Sequence, residues 1–416
     1  MKQTAFSEFY VDNASILFLS RVYPYHTNSF RFTITMTEEV DSNLLQQAVD
    51  LTWKRFPSVI AGFRKGFFRF RQIPVVHAPQ VQPDPGVLAT MTAREVKEGC
   101  FRIYYSGKDI IIEAFHALTD GYGAITTFTT MIAEYLQMKY GILIPFSETR
   151  LDVRENPKEP EVVDSFLDHA QEKPRHLPSR YAYQLPRTED TDWQVRVNSF
   201  VPSTRKLLDA AHRYEVTLNS LLSAVLASSV MELQKQHQQS NRLKPVRLMV
   251  PIDLRRLLGS TTLRNFSLYA LPTMEASDHD RPFPEFCRSF GQQLKEQLSR
   301  ESISQMIAYN VKTQNAWWFR MIPWAVKGAC MRIGYRFFGE SNPSLTLTNL
   351  GRVQLPAEMQ PYIENLQAFL TPRTGSPYGC AVLTYGDKVN INMSRFTPEP
   401  ELDAIFFRNL QAVMDV

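Results

Sequence analysis

From Phe101 to Tyr140 the chain reads as strand, turn, strand, glycine-marked loop and long helix in one uninterrupted run. FRIYYS (101–106) and DIIIEAF (109–115) flank Gly107-Lys108, a spacing that predicts a β-hairpin. Ile110, Ile111 and Ile112 in succession leave no polar face, so the second strand is expected to be buried on both sides. HALTDGYG follows, and a helix is expected from about Ala124 to Tyr140, with Gly141 at its C-terminal end. A buried strand feeding a long helix points to a layered α/β architecture.

The rest of the chain extends that pattern. Ser15–Val22 and Phe30–Thr37 are rich in β-branched and aromatic residues and are expected as strands. Asp41-Ser42 is a plausible N-cap for a helix carrying Leu44, Leu45, Ala48, Leu51 and Thr52 at helical spacing, which Pro57 stops. Val59–Pro74 reads as strand, with Gly62 and Gly66 as turn points. From Ile142 to about Asp192 the composition turns to Pro, Glu, Arg and Lys, as in a linker or crossover. Strand QVRVNSFVPS then restarts the alternation, and Ser203 is placed to cap the helix after it. VTLNSLLSAVLASSV predicts a buried helix, RLKPVRLMVPIDL and SLTLTNLGRV predict strands, and GCAVLTYGDKVNINMSRF predicts a hairpin turning at Gly386-Asp387. PELDAIFFRNLQAVM closes the chain as a helix. The reading is of two α/β lobes, 1–150 and 193–416, joined by a crossover over 151–192.

Composition excludes several classes. Over 416 residues, 44% hydrophobic and 21% charged is globular usage, not that of a disordered chain, a collagen-like fibre or a coiled coil. A net charge of +4 is too mild to argue for nucleic acid. Cys100, Cys287, Cys330 and Cys380 are scattered, without CxxC or Cys/His spacing, so no metal site is expected and reduced thiols in a cytoplasmic protein are. Neither a signal peptide nor an apolar run long enough to span a membrane is expected. GxxxxGK[ST], GxGxxG and GxSxG are all missing.

One constellation carries chemistry. His116 lies just past a buried strand, with Asp120 and Gly121 following. Neutral imidazole accepts a proton near pH 7, which suits a general base. Asp120 can orient that ring, or turn away and lock the loop through a buried Arg. The alternative is a satisfied core histidine followed by a helix-capping aspartate.

FHALTDGYG resembles the HxxxDG motif of the chloramphenicol acetyltransferase-like superfamily, which includes peptide-synthetase condensation domains, plant BAHD acyltransferases and the alcohol acetyltransferase and polyketide-associated branch. The likeness continues in order along the chain. LLQQAVDLTWKRFPSVIAGF is similar to the early helix and strand of condensation domains, VTLNSLLSAVLASSV to the helix opening the second lobe, RLMVPIDLRRLLGSTTLRNF to a strand and loop ending in Arg-Asn-Phe, and SLTLTNLGRV to an "SNLG" strand. The resemblance implies two similar lobes, each a mixed sheet with flanking helices, and an active-site tunnel between them. It implies an acyltransferase acting from acyl-CoA or a carrier-bound phosphopantetheine thioester on a hydroxyl or amine, with no bound cofactor and no acyl-enzyme.

On that resemblance His116 is the base, and Asp120 is structural beside Gly121. Its partner is Arg255, with Arg256 as rival. Thr348 and Asn349 are candidate oxyanion donors, against an ordinary edge-strand Thr and a turn Asn. There are departures. Phe115 stands where many condensation domains carry a first histidine, and TYGDK stands where BAHD enzymes carry DFGWG. The implied partners are a small-molecule or lipid acceptor, an acyl thioester and an acyl carrier protein. The competing reading is a catalytically silent module that binds a carrier protein or lipid. Residues 317–338 are aromatic and basic, which fits either a membrane-surface helix or a core helix with outward Arg stems.

Overall fold

A computed structural model describes residues 8–22, 28–86, 88–170, 181–186, 194–238, 242–334, 343–373 and 375–415. The first half holds β1 (Phe9–Tyr10), α1 (Asn13–Ser20), β2 (Ser29–Met36), α2 (Ser42–Thr52), β3 (Ala61–Lys65), β4 (Phe70–Pro74), β5 (Val81–Pro83), α3 (Ala93–Glu98), β6 (Phe101–Ser106), β7 (Asp109–Phe115) and α4 (Gly121–Tyr140). The short α5 (Glu159–Val162) lies in the crossover.

The second half contributes β8 (Arg196–Phe200), α6 (Thr204–Arg213), α7 (Leu218–His237), β9 (Val246–Asp253), α8 (Arg255–Leu258), β10 (Ser267–Ala270) and β11 (Thr273–Met274). Four helices follow, α9 (Phe283–Gln297), α10 (Arg300–Asn315), α11 (Trp317–Met321) and α12 (Trp324–Gly334). The chain ends with β12 (Leu345–Arg352), β13 (Ile363–Leu370), β14 (Tyr378–Tyr385), β15 (Lys388–Arg395) and α13 (Glu401–Asp415).

Two mixed sheets organise the molecule. One runs β13-β2-β7-β6-β5, and the other β10-β9-β12-β14-β15-β8 with β11 also on β9. A small sheet, β1-β4-β3, sits beside them. One core gathers the first sheet with α2 and α4, and the other gathers the second sheet with α7, α9 and α13. Strand pairing crosses the chain's midpoint. β13 comes from the second half yet pairs antiparallel with β2, and Asn390 and Asn392 of β15 donate to its Leu366 and Ala368 carbonyls. The segments 1–150, 151–192 and 193–416 therefore divide the chain but not the sheets.

The hairpin β6–β7 turns at Gly107, whose φ of +55° suits glycine, and every residue of Ile110–Phe115 is buried. α4 starts on an Asp120 cap and ends at Gly141 in the left-handed conformation. Burial along α2 falls on Leu45, Ala48, Val49 and Thr52, while Leu51 faces out. Gly66 turns the β3–β4 hairpin, but Gly62 is inside β3, against the Lys97 carbonyl. Ser203 occupies the N-cap position of α6 without a side-chain capping bond.

Two expectations fail. Ser15–Val22 is not a strand, because Asp12 accepts from Ser15 N at 2.7 Å and caps α1. Burial around several sides of α1 erases the amphipathic period that marks a surface helix. Nor is the described part of 317–338 a core helix with only its Arg stems outward. α11 and α12 lie on the surface with Trp317, Trp318, Met321, Val326 and Ile333 exposed, and only Trp324, Lys327 and Gly328 of α12 are buried. Arg336 and Phe338 fall outside the described residues. All four cysteines are free. Among the described residues no single helix is long and apolar enough to cross a membrane.

Candidate active site

β7 ends at Phe115 and releases the chain into the loop His116–Asp120 before α4 begins. His116 N donates to the Asn28 carbonyl at 2.8 Å, and Asn265 Nδ2 donates to the His116 carbonyl at 3.1 Å. These two bonds fix the main chain at the residue. The imidazole stacks on Phe18 of α1 with ring centroids 4.6 Å apart, and Phe30 of β2 meets it edge-on at 5.2 Å. His116 is half-buried, and among the described residues nothing bonds the buried Nδ1. Burial, the largest effect, holds the ring below its ordinary pKa of 6.5; its own main chain, Asp120, Asn265 and Asp12 oppose this. The neutral imidazole is therefore the form present at pH 7.

Asp120 does not orient that ring. Its Oδ2 accepts from Arg255 Nη1 at 2.9 Å and from Phe266 N at 2.8 Å, and Oδ1 caps α4 through a long 3.4 Å contact to Gly123 N. The pair is single-bonded, not the bidentate fork an Arg–carboxylate pair often makes, because the Arg255 donors are shared. Nη1 also reaches Asp253 at 2.7 Å, Nε the Thr262 carbonyl at 2.7 Å and Nη2 the Arg264 carbonyl at 2.6 Å. The guanidinium lies over the Tyr122 ring at 4.5 Å. Arg256, the rival, is exposed.

The segment Arg264-Asn265-Phe266 clamps the loop residue by residue. Arg264 Nη2 reaches the Tyr10 carbonyl at 2.5 Å and Asp12 at 3.3 Å, Asn265 holds the His116 carbonyl, and the Phe266 amide holds Asp120. Thr119 Oγ1 donates to the Leu263 carbonyl at 2.6 Å, and Ser15 Oγ to the Ala117 carbonyl at 2.6 Å. Nothing in the spacing of the chain marks Phe18 or Asn265 as neighbours of the histidine. Asp12 three residues ahead of Ser15 is the one local signal that places α1 there.

In the first turn of α4 the space for a side chain is limited, most severely at Gly123. A Cβ on Gly121 meets the Leu350 side chain of β12, and one on Gly123 meets the Leu263 carbonyl and the Thr119 hydroxyl well inside van der Waals contact. Gly123→Ala is expected to destabilise the fold by about 1–3 kcal/mol, because main chain cannot rotate aside as a flexible side chain does. Gly334→Ala, with open space at its Cβ, is the control. Equal melting temperatures for the two variants contradict this account.

Thr348 lies on β12, a central strand between β9 and β14, and not on an edge. It alternates with Thr346 and Leu350 on the face whose Leu350 meets Gly121. Asn349 points the other way, and its Oδ1 accepts from Gly351 N at 2.9 Å, where φ is +71°. It sits within β12 where the register with β14 shifts, between Asn349 and Arg352. A cavity of about 740 Å³ opens beside the site, lined by Tyr10, Val11, Ile16, Leu167, Arg264 and Phe319 among others. His116 is not among its lining residues, although Arg264, next to the Asn265 that holds the His116 carbonyl, is. Among the described residues no cluster of His, Cys, Asp and Glu is arranged to hold a metal.

Residues 193–394 match the family model for the phthiocerol/phthiodiolone dimycocerosyl transferase C-terminus. No curated protein matches the chain significantly by sequence. Among solved structures, polyketide synthase associated protein 5 from Mycobacterium tuberculosis aligns with TM-score 0.62 and 13% identity over 98% of both chains. Trichothecene 15-O-acetyltransferase from Fusarium sporotrichioides aligns with TM-score 0.61 and 8% identity, over 98% of this chain and 95% of the other. The wax ester synthase/diacylglycerol acyltransferase of Marinobacter aquaeolei VT8 aligns with TM-score 0.54 and 11% identity over 98% of both.

Proposed function

We propose that this chain, which has the fold of the chloramphenicol acetyltransferase-like superfamily, is an acyltransferase that moves an acyl group from a thioester to a hydroxyl or amine. The observation that carries the reading is the pairing of a half-buried, neutral His116 with an Asp120 turned away to Arg255. An aspartate aimed at Nδ1 raises imidazole basicity and stabilises the charged ring. Here the carboxylate builds the loop instead, and the ring stays an uncharged acceptor.

In the tautomer protonated at Nδ1, Nε2 carries the free lone pair. It takes the acceptor's proton as the oxygen or nitrogen attacks the thioester carbonyl. The carbonyl electrons move onto oxygen to form a tetrahedral oxyanion. Collapse of that oxyanion re-forms C=O and breaks the C–S bond, and the departing thiolate takes the proton from Nε2. No residue is acylated. A hydroxyl donor to the oxyanion is worth about 2.7–4 kcal/mol, and Thr348, on the β12 face that meets the loop, is the candidate. Asn349 keeps its oxygen on Gly351.

The test is release of free thiol from acyl-CoA or an acyl-phosphopantetheine thioester, with mass detection of the product across alcohols and amines. Transfer to at least one acceptor is expected. Thioester binding without turnover against every acceptor fits the silent-module reading instead. The pH profile is diagnostic in sign. Because the folded pKa lies below 6.5, kcat/KM should be flat above that pH and fall as pH drops through the lower folded value. A profile that instead rises toward acid assigns the proton transfer to another group.

A further inference from the structure

Residues 51–83 and 302–339 contain no Asp or Glu, and the β3–β4 hairpin of the first meets α12 of the second on the surface of the protein. The first carries Arg64, Lys65, Arg69 and Arg71 around the β3–β4 hairpin; the second carries Arg320, Lys327 and Arg332 along α11 and α12. They are joined directly. Trp324 N donates to the Phe67 carbonyl at 2.8 Å, Lys327 Nζ to the Phe68 carbonyl at 3.1 Å, and Trp324 packs edge-on against Phe70 at 4.7 Å. Lys327 also sits over the Phe319 ring at 4.6 Å, tying α11 to α12.

On this joined surface large apolar side chains face outward. Phe67 is 73% exposed, Trp317 76%, Trp318 53%, Met321 61% and Ile333 60%. Clustered exposed apolar groups of this kind mark an interaction site and not ordinary surface. Glu8 reaches in to pair with Arg64 and Arg71. Among the described residues no acidic side chain pairs with Lys65, Arg69, Arg320 or Arg332. Arg69, Phe319, Arg320 and Lys327 also bound the 740 Å³ cavity, so that cavity opens onto the same surface.

We propose that this face, formed by the β3–β4 hairpin tip with α11 and α12, docks on an anionic phospholipid bilayer. Indole and phenyl groups rimmed by Arg and Lys match an interface that is apolar beneath and negatively charged above. A twofold pairing of two copies through this face sets cation against cation, which charge complementarity disfavours. An acidic protein satisfies the cations but leaves the Trp and Phe side chains without a matching apolar layer. Docking orients the cavity mouth toward the lipid. This needs no turnover, so it stands or falls separately from the acyltransferase reading.

The experiment is flotation of the full chain with large unilamellar vesicles of phosphatidylcholine alone or with added phosphatidylserine. Phosphatidylserine vesicles should carry the protein, and added salt should release it, since ionic screening weakens attraction to a charged surface. Trp317→Ala with Trp318→Ala, and Arg69→Glu with Arg320→Glu, should each lower the partition coefficient at least about tenfold. Leu143→Ser, at an exposed position outside the patch, should leave it unchanged. Thermal melts confirm that the variants fold, and Phe67→Ser supplies an independent hairpin-tip variant. Absence of flotation, equal flotation with both lipids, or patch variants that abolish self-association or carrier-protein binding while vesicle binding persists overturns the proposal.

Discussion

His116→Ala is expected to lower acyl transfer by about 10²–10⁴-fold, the usual contribution of a positioned general base. The loss should fall on kcat, because the imidazole acts on the acceptor's proton and not on the thioester. The ring also stacks on Phe18 and meets Phe30 edge-on, so its removal leaves a gap and a modest drop in melting temperature accompanies the change. Phe18→Leu separates the two effects. It perturbs the same packing but leaves the base in place, and should retain most of the transfer rate. Free-thiol release against pH, measured for wild type and both variants with an accepted alcohol or amine, decides the matter. Wild-type rates in His116→Ala place the base elsewhere and remove the mechanism. A loss of equal size in Phe18→Leu makes the packing, not the proton transfer, responsible.

Arg255→Ala is expected to cost about 3–5 kcal/mol of stability, the range for breaking a buried ion pair and leaving its partner charged. Asp120 and Arg255 are only 5% and 4% exposed, so solvent cannot replace the lost partner. The arginine also holds Asp253 and the Thr262 and Arg264 carbonyls, so its loss frees the whole 262–266 segment. That segment clamps the His116 carbonyl through Asn265, and transfer should fall with stability. Asp120→Ala should destabilise comparably, whereas Asp120→Asn retains an acceptor for the Phe266 amide and should lose less. Chemical-denaturation midpoints and transfer rates measured together discriminate the roles. An Asp120→Asn variant with unchanged stability but abolished transfer makes the carboxylate a direct partner of the imidazole.

How much of this was legible along the chain depended on the range of the interaction. The β6–β7 hairpin, the α4 cap at Asp120 and the stop at Gly141 follow from residues within a few positions of one another. The candidate base could be singled out for the same reason: buried strand, histidine, aspartate and glycine stand in one short string. Choosing Arg255 over Arg256 needed burial, since adjacent helical residues point about 100° apart and only the fold shows which of them is in. α1 reads as a strand because residues buried on several sides show no helical period, and only Asp12 signals the cap. β13 gave no local sign of leaving its own half, because its partner β2 lies more than 300 residues earlier.

By itself the sequence determined the local geometry of the motif: where β7 ends and where α4 begins, with Asp120 as its cap. Tertiary structure alone decided what the motif does with its groups. It brought Arg255 and the 264–266 segment across some 140 positions of chain to turn Asp120 away from the imidazole, and it laid Phe18 against the ring. It also left the aromatic and basic helices α11 and α12 on the outside. The physical reason is common to all three. Hydrogen bonds and caps act over a few residues, and the chain records them locally. Burial and desolvation depend on which distant segments arrive, and they set both the imidazole's charge state and the face left open to solvent.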